Sequence, residues 1–419
     1  MNISDNTLID LYGIDDLEKQ QKRYRKLSDD YSKYFGDFKS LDYISSPGRT
    51  ELGGNHTDHN HGKVLCAAVS QDTIAAVESR SDNLIKLKSS AFSNLFEIDI
   101  TELRSRGKEK GTTEALIRGV CAGFISRGFC TGGFNAVVQS DVSIGSGLSS
   151  SASFEVLMGG ILNFLYNENS INPVTLAKIG QYAENVYFDK PCGLMDQLAC
   201  AAGGVMAIDF KDNENPVVDK IPVNFNETDY ILAVVVIGAS HADLTPAYAS
   251  IPTEMKKVAS LFEKETLREI REENFKKNMG TVRPKAGDRA LLRALHFFAE
   301  NHRVEMMTDA LKAGDFKTYF RLSAESGASS SSILQNTIPP DNAGDEQPAA
   351  LAIGVSNDFF RSRGNIGVAR IHGGGFAGTI QTYIHKDHFN DYLQLMTDLF
   401  GSNCVKVLSI RMQGVTVIN

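Results

Sequence analysis

The chain has 419 residues, 42% of them hydrophobic, with a formal net charge of −8. That balance supports a sizeable core in two or three domains, or in two lobes around one cleft. It excludes nucleic acid as a main partner, because no segment concentrates Lys and Arg beyond short helical runs. The acidic N-terminus lacks a basic stretch followed by an apolar run, and the longest apolar run, Ile231 to Ile237, is too short to span a bilayer. Six cysteines, at 66, 121, 130, 192, 200 and 404, form no CxxC pair and no zinc-ligand spacing. The expectation is a cytoplasmic α/β or α+β protein with reduced thiols.

Residues 4–34 mix charge with apolar positions at helical spacing and predict helix. Tyr43 and Ile44 predict a short strand broken by Pro47-Gly48, and "KVLCAAVSQDTIAAVES" and "LIKLKSS" read as further strands. "TEALIRGVCAGFISRGF" predicts a helix ended by Gly128, and "GFNAVVQSDV" a strand. A Gly/Ser loop then runs directly into the apolar helix of "SSSASFEVLMGGILNFL", and "TLAKIGQYAENVYF" forms another helix, halted before Pro191. Near residue 215 the composition shifts to strands and then charged helices, which places a soft boundary between lobes 1–215 and 216–419. "NTIPPDNAGDEQPA" is a polar loop, and "VARIHGGGFAGTIQTYI" closes the chain with two short strands around a triple glycine.

Four segments carry chemistry. In "GSGLSSSAS" (145–153) the glycines allow backbone N–H groups to converge in front of a helix, as an anion cradle requires. A tight serine-capped turn opening the helix is the other reading, since the loop lacks both the Lys-Ser/Thr ending of a P-loop and a dinucleotide fingerprint. "HGGGFAG" (372–378) is a second glycine cluster, either a hairpin or the far side of the same nucleotide. Asp196 lies among Leu194, Met195, Leu198 and Ala199, where a lone carboxylate is costly, so it is a cap or a paired functional group. Arg49 is the candidate partner. Finally "GGNHTDHNHG" (53–62) gathers three histidines, but no single regular element aims all three at one metal; a polar ligand wall accounts for it better than zinc.

Taken together, "SPGRTELGGNHTDHNHG", "SIGSGLSSSASFEV" and "RIHGGGFAGTI" resemble the three motifs of the GHMP sugar and small-metabolite kinases. "AENVYFDKPCGLMDQ" and "SHADLTPAY" resemble segments of their galactokinase branch. The resemblance spans roughly residues 35 to 415 and keeps the family's order. It implies an α+β, two-lobed GHMP-kinase fold, with a left-handed βαβ unit in the N-terminal lobe and a ferredoxin-like C-terminal lobe. It further implies a monomeric, ATP- and Mg²⁺-dependent kinase acting on the C1 hydroxyl of D-galactose. Carried over residue by residue, Gly145, Ser146, Gly147, Leu148, Ser149, Ser150 and Ser151 would embrace the ATP phosphates, and Ser151 and Glu184 would hold Mg²⁺. Asp196 would be the general base with Arg49 beside it. Asn55, His56, Asp58, Gly193 and Tyr248 would line the sugar site.

The departures are local. Galactokinases typically carry Glu where this chain has Asn55, Tyr at His59 and Asn at Glu51, and "SGASSSSILQN" replaces a Ser-His motif with an Arg-Asp pair. The Glu is implied to meet the sugar's C6 hydroxyl. Asn55 could still do so and would also tolerate a C6 carboxylate, so galacturonate, or arabinose, is the alternative substrate. A non-enzymatic galactose and ATP sensor is the other class, disfavoured by the intact "SSSAS" run with Asp196 and Arg49 both present.

Overall fold

A computed structural model describes residues 3–142, 145, 147–223, 225–238, 245–339, 346–376 and 378–418. The first lobe begins with β1 (Asp42–Gly53), β2 (Lys63–Ser79), β3 (Leu84–Ser89), β4 (Leu95–Asp99), β5 (Phe134–Ser140), β6 (Val205–Asp209) and β7 (Val217–Ile221). The second contributes β8 (Tyr230–Val236), β9 (Gly367–Ile371), β10 (Thr379–His385) and β11 (Val405–Val407); the chain ends in β12 (Thr416–Ile418).

The larger sheet runs β12-β1-β2-β5-β3-β4, with β6 on β2 and β7 on β6. One of its pairs, β3 beside β5, is parallel, and the connection between them passes through β4 and helix α3 (Thr113–Ile125). The smaller sheet runs β11-β8-β10-β9, all antiparallel. This is the 4-1-3-2 order of a ferredoxin-like lobe. Two strands qualify the boundary near 215: β7 lies beyond it, and β12 returns at the very end to pair with β1.

Helices cover both faces of the larger sheet, which is why the central strands β1 and β2 are buried on both sides and lack a clean alternation, whereas β4 at the edge alternates. The N-terminal α1 (Asp5–Tyr12) and α2 (Leu17–Phe35) pack on one face through Leu8, Tyr24, Leu27 and Tyr31 against Ile74, Ala76 and Val137. On the other face lie α3, α4 (Ser150–Asn167), α5 (Pro173–Tyr182) and α6 (Met195–Ala202), which enclose Val77, Ile85, Leu87, Phe124, Leu157 and Leu198. α5 opens as its sequence directs, with Asn172 capping Thr175 N–H and Pro173 in the first turn. The lobes share one apolar cluster in which Leu52, Leu65 and Val69 meet Val234, Met307, Tyr319 and Tyr383. They are therefore joined by core as well as by chain. No helix among the described residues is long and apolar enough to cross a membrane.

One strand runs past the break that its sequence predicts. Pro47-Gly48 does not end β1; the strand continues to Gly53 with its register shifting between Pro47 and Gly48. A proline has no ladder N–H to give, and a bulge removes the need for one.

Candidate active site

Continuing past the bulge brings β1 to the glycine loop. Arg49 N–H donates to the Leu148 carbonyl at 3.0 Å. A side chain on Gly48 would stand 2.9 Å from that same oxygen, so the close approach requires glycine. The Arg49 guanidinium then does two things. It donates through Nη1 to the Gly147 carbonyl, and it grips Asp196 bidentately, Nε to Oδ1 and Nη2 to Oδ2, both at 2.7 Å.

Asp196 stands in the first turn of α6, where the helix dipole favours an anion. Ser149 Oγ donates to its Oδ2. Ser149 itself adopts the left-handed conformation, φ 59°, at the N-cap of α4, and it gives α4 no side-chain cap. A non-glycine residue held there is strained, and here the strain turns the hydroxyl toward Asp196. Burial alone would raise the Asp196 carboxyl, but the Arg49 charge and hydrogen bonds, with Ser149, hold it below the ordinary carboxylate range. It is an ionised carboxylate with its side chain 31% exposed, against 7% for Arg49.

A second carboxylate lies on the other side of the loop's helix. Glu184 occupies a π-helical turn, Ala183–Phe188, that continues α5. Its Oε1 accepts from Ser151 Oγ at 3.0 Å and from Lys190 Nζ at 2.8 Å. Gln197 Nε2 bridges Glu184 Oε2 at 2.8 Å and Glu155 Oε2 at 3.0 Å. Burial, and then the Glu184 charge, push the Glu155 carboxyl well above its usual value, and its Oε1 has no hydrogen-bond partner among the described residues. Hydroxyl and carboxylate oxygens suit Mg²⁺, which is commonly bound by one or two carboxylates together with substrate phosphates. No group of three His, Cys, Asp or Glu that could hold a metal by itself occurs among the described residues.

The two glycine clusters do meet. A side chain on Gly147 (φ 74°) would stand 2.2 Å from Thr379 Oγ1 and 2.7 Å from His372 Nδ1. Burial and the nearby Arg49 and Arg370 charges hold His372 neutral, and its Nε2 lies 3.0 Å from Thr50 Oγ1. Gly374 is crowded by the Tyr248 ring, whose hydroxyl donates to the Gly375 carbonyl at 3.0 Å.

The turn after β1 forms the adjoining wall. His56, φ 60°, lies with Nε2 2.8 Å from the Gly374 carbonyl; burial, then His59, lower its pKa to about 3, so it is neutral. Asp58 lies against Gly193, where any side chain would strike its carboxylate. His56 and His59 stack with centroids 6.1 Å apart, while His61, left-handed at φ 60°, ends the turn. Asn55 behaves differently from its expected part. It is fully buried, and its amide is engaged by Glu51, Gly373 and Asn336. An amide turned into protein in this way is not placed to favour a C6 carboxylate over a C6 hydroxyl.

Of the residues expected at the site, Arg49, Asp196 and Ser149 come into direct contact, as do Ser151 and Glu184. Gly145 and Gly147 take positive φ, Leu148 is buried, and Ser150 begins α4. Ser146 lies outside the described residues, as does the "SHADL" part of the tyrosine segment; Tyr248 is on α7 (Thr245–Ser260). Sequence reasoning did not single out Lys190, Gln197, Glu155 or Arg370. Gln197 directly follows Asp196, and Lys190 lies six residues after Glu184, but nothing in residue type alone marks either.

Comparison with known proteins bears on the family. The family description "GHMP kinases N terminal domain" matches residues 115–204, and "Galactokinase galactose-binding signature" matches 29–79. The galactokinase of Clostridium tetani (strain Massachusetts / E88) is 29% identical over 92% of this chain and 93% of its own. That of Lactococcus lactis subsp. lactis (strain IL1403) is 27% identical over 87% and 88%. The crystal structure of Lactococcus lactis galactokinase complexed with galactose superposes with a TM-score of 0.81 at 23% identity, covering 94% of this chain and 99% of that one. Methanococcus jannaschii mevalonate kinase superposes at 0.62 with 14% identity, covering 89% and 99%. Parts of the chain thus match the GHMP kinase and galactokinase descriptions, and the chain is similar to galactokinases over about nine-tenths of its length.

Proposed function

We propose that the chain is an ATP-dependent sugar 1-kinase that converts D-galactose to galactose 1-phosphate with release of ADP. The observation that carries this reading is the Arg49–Asp196–Ser149 cluster at the mouth of the glycine loop. It combines an ionised carboxylate, an arginine and a helix N-terminus within one short span. Phosphoryl transfer asks mainly for alignment and charge neutralisation, and these groups supply both.

In this reading the C1 oxygen forms its bond to the γ-phosphorus as the bond to the β,γ-bridging oxygen breaks, and Asp196 accepts the C1 proton. Arg49 keeps Asp196 ionised and neutralises charge on the transferring group. The residues around Gly145–Ser151 hold the phosphates. His56, Asp58, Gly193 and Tyr248 wall the sugar, with Asn55 behind them. Ser151 and Glu184 would hold Mg²⁺ with the ATP phosphates, and the cation supplies charge neutralisation. The intact Arg49–Asp196 pair favours an enzyme over a sensor.

A coupled ADP-release assay over galactose, galacturonate, arabinose, galactosamine and glucose tests the assignment. Galactose-dependent turnover is expected. Turnover confined to any other sugar of the panel, or none at all, sinks it.

A further inference from the structure

Three strongly polar side chains are sealed in the seam between the lobes: Glu51 on β1, Asn55 in the turn after it, and Arg370 on β9. Asn55 Nδ2 lies 3.1 Å from each carboxylate oxygen of Glu51 and 2.6 Å from the Gly373 carbonyl. Its Oδ1 accepts from Asn336 Nδ2 at 2.7 Å, and its backbone carbonyl lies 3.0 Å from His296 Nε2. An amide has two N–H groups and one carbonyl, so these contacts use its hydrogen-bonding capacity. Glu51 Oε1 in turn accepts from Arg370 Nη2 at 2.7 Å, and Arg370 Nη1 holds the Leu52 carbonyl at 2.6 Å.

We propose that Glu51 and Asn55 form one positioning unit, which pins the 53–58 turn to the Gly373-Gly374 carbonyls and so sets sugar affinity without residue 55 touching the sugar. The proposal rests on the sugar-kinase reading. The pin acts on the sugar wall: His56 follows Asn55 directly, is held to the Gly374 carbonyl, and leads to Asp58 against Gly193. A turn released at Asn55 would move those wall residues while leaving Arg49 and Asp196 in contact.

The pair is also coupled in a specific way. Burial already pushes the Glu51 carboxyl up to about 7 despite Arg370 beside it; placing Glu at 55 alone sets a second carboxyl against it in a dry seam, and placing Asn at 51 alone takes from buried Arg370 its carboxyl partner. Exchanging the two residues again sets one amide against one carboxylate. The guanidinium has a donor to spare for the new geometry, since Arg370 Nε is buried and unpartnered among the described residues.

The test is a cycle of Glu51→Asn, Asn55→Glu and the double exchange, read by urea unfolding midpoint, galactose KM and kcat, and the galactose-to-galacturonate activity ratio. Each single change is expected to raise KM at least about tenfold with kcat within about threefold, and to lower the midpoint; the exchange returns both toward wild type. The sugar ratio stays constant throughout. An exchange variant as impaired as the product of the singles overturns the proposal, and so does a sugar ratio that follows residue 55. Should the singles not fold, Glu51→Gln keeps the shape and removes the charge; a KM rise supports the unit and an unchanged KM overturns it. A wild-type chain inactive on galactose defeats the sugar-kinase reading alone, because the midpoints still decide the coupling.

Discussion

Of the arginine–aspartate pairs among the described residues, the two built on buried arginines at the cleft and beneath the N-terminal helices differ instructively. At the cleft, Arg49 grips Asp196, which keeps 31% of its side chain exposed. Beneath the N-terminal helices, Asp72 is fully buried between Arg23, whose Nη1 lies 2.6 Å from Oδ1, and Arg411, whose Nη1 lies 3.1 Å from Oδ2. Tyr12 and Ser45 hydroxyls also donate to Asp72, so every direction around that carboxylate is filled. The same two residue types are thus used once with a face left open and once sealed. The sealed pair fastens α2, β2 and the C-terminal segment together. The open one can meet a substrate.

This contrast is sharpest under amide substitution. Asp196→Asn is expected to cut kcat by about 10²–10⁴-fold with little change in the unfolding midpoint, as coupled ADP release and urea titration will show. Asp72→Asn should do the reverse, costing about 3–5 kcal/mol of stability while the folded fraction turns over normally. Equal effects of both substitutions on kcat would dissolve the distinction.

Next in size is Arg49→Lys, which replaces a bidentate grip by a point charge. A loss of about 10²-fold in kcat is expected. Asp196 would also be less well held in its ionised form, so the acid limb of kcat/KM should move to higher pH. An unmoved limb breaks the link between Arg49 and the Asp196 charge.

Acid stability probes the sealed cluster. Burial would raise the Asp72 carboxyl, but the Arg23 and Arg411 charges and two hydroxyls hold it below its usual value. Its stabilising contribution is therefore present above the unfolded carboxylate value, near 4, and is lost as pH falls through the folded one. Stability measured between pH 5 and 2 should fall more steeply for wild type than for Asp72→Asn.

The smallest effect is expected at Lys190, more than half exposed although it touches Glu184. Lys190→Met should change stability by less than about 1 kcal/mol, measured by urea unfolding.

Much of this was legible in the sequence because it is local. Glycines before an apolar helix and three separated motifs announce themselves through backbone sterics and spacing. The part of Asn55 was not legible. Its residue type fits both a ligand contact and a buried hydrogen-bond hub, and what decided between them are Arg370, Gly373 and Asn336, more than 280 positions away. Pro47-Gly48 misled for the opposite reason: the local rule is sound, but pairing with β2 absorbed the break as a bulge.

The sequence by itself determined the family, the lobes and the chemical types at the site, since these follow from motif order and short-range geometry. Only the tertiary structure decided which aspartate stays open, which carboxyl is pushed above its ordinary value, and that residue 55 faces protein. Those outcomes depend on burial and on charges brought together across the seam, and neither quantity exists until the lobes have closed on each other.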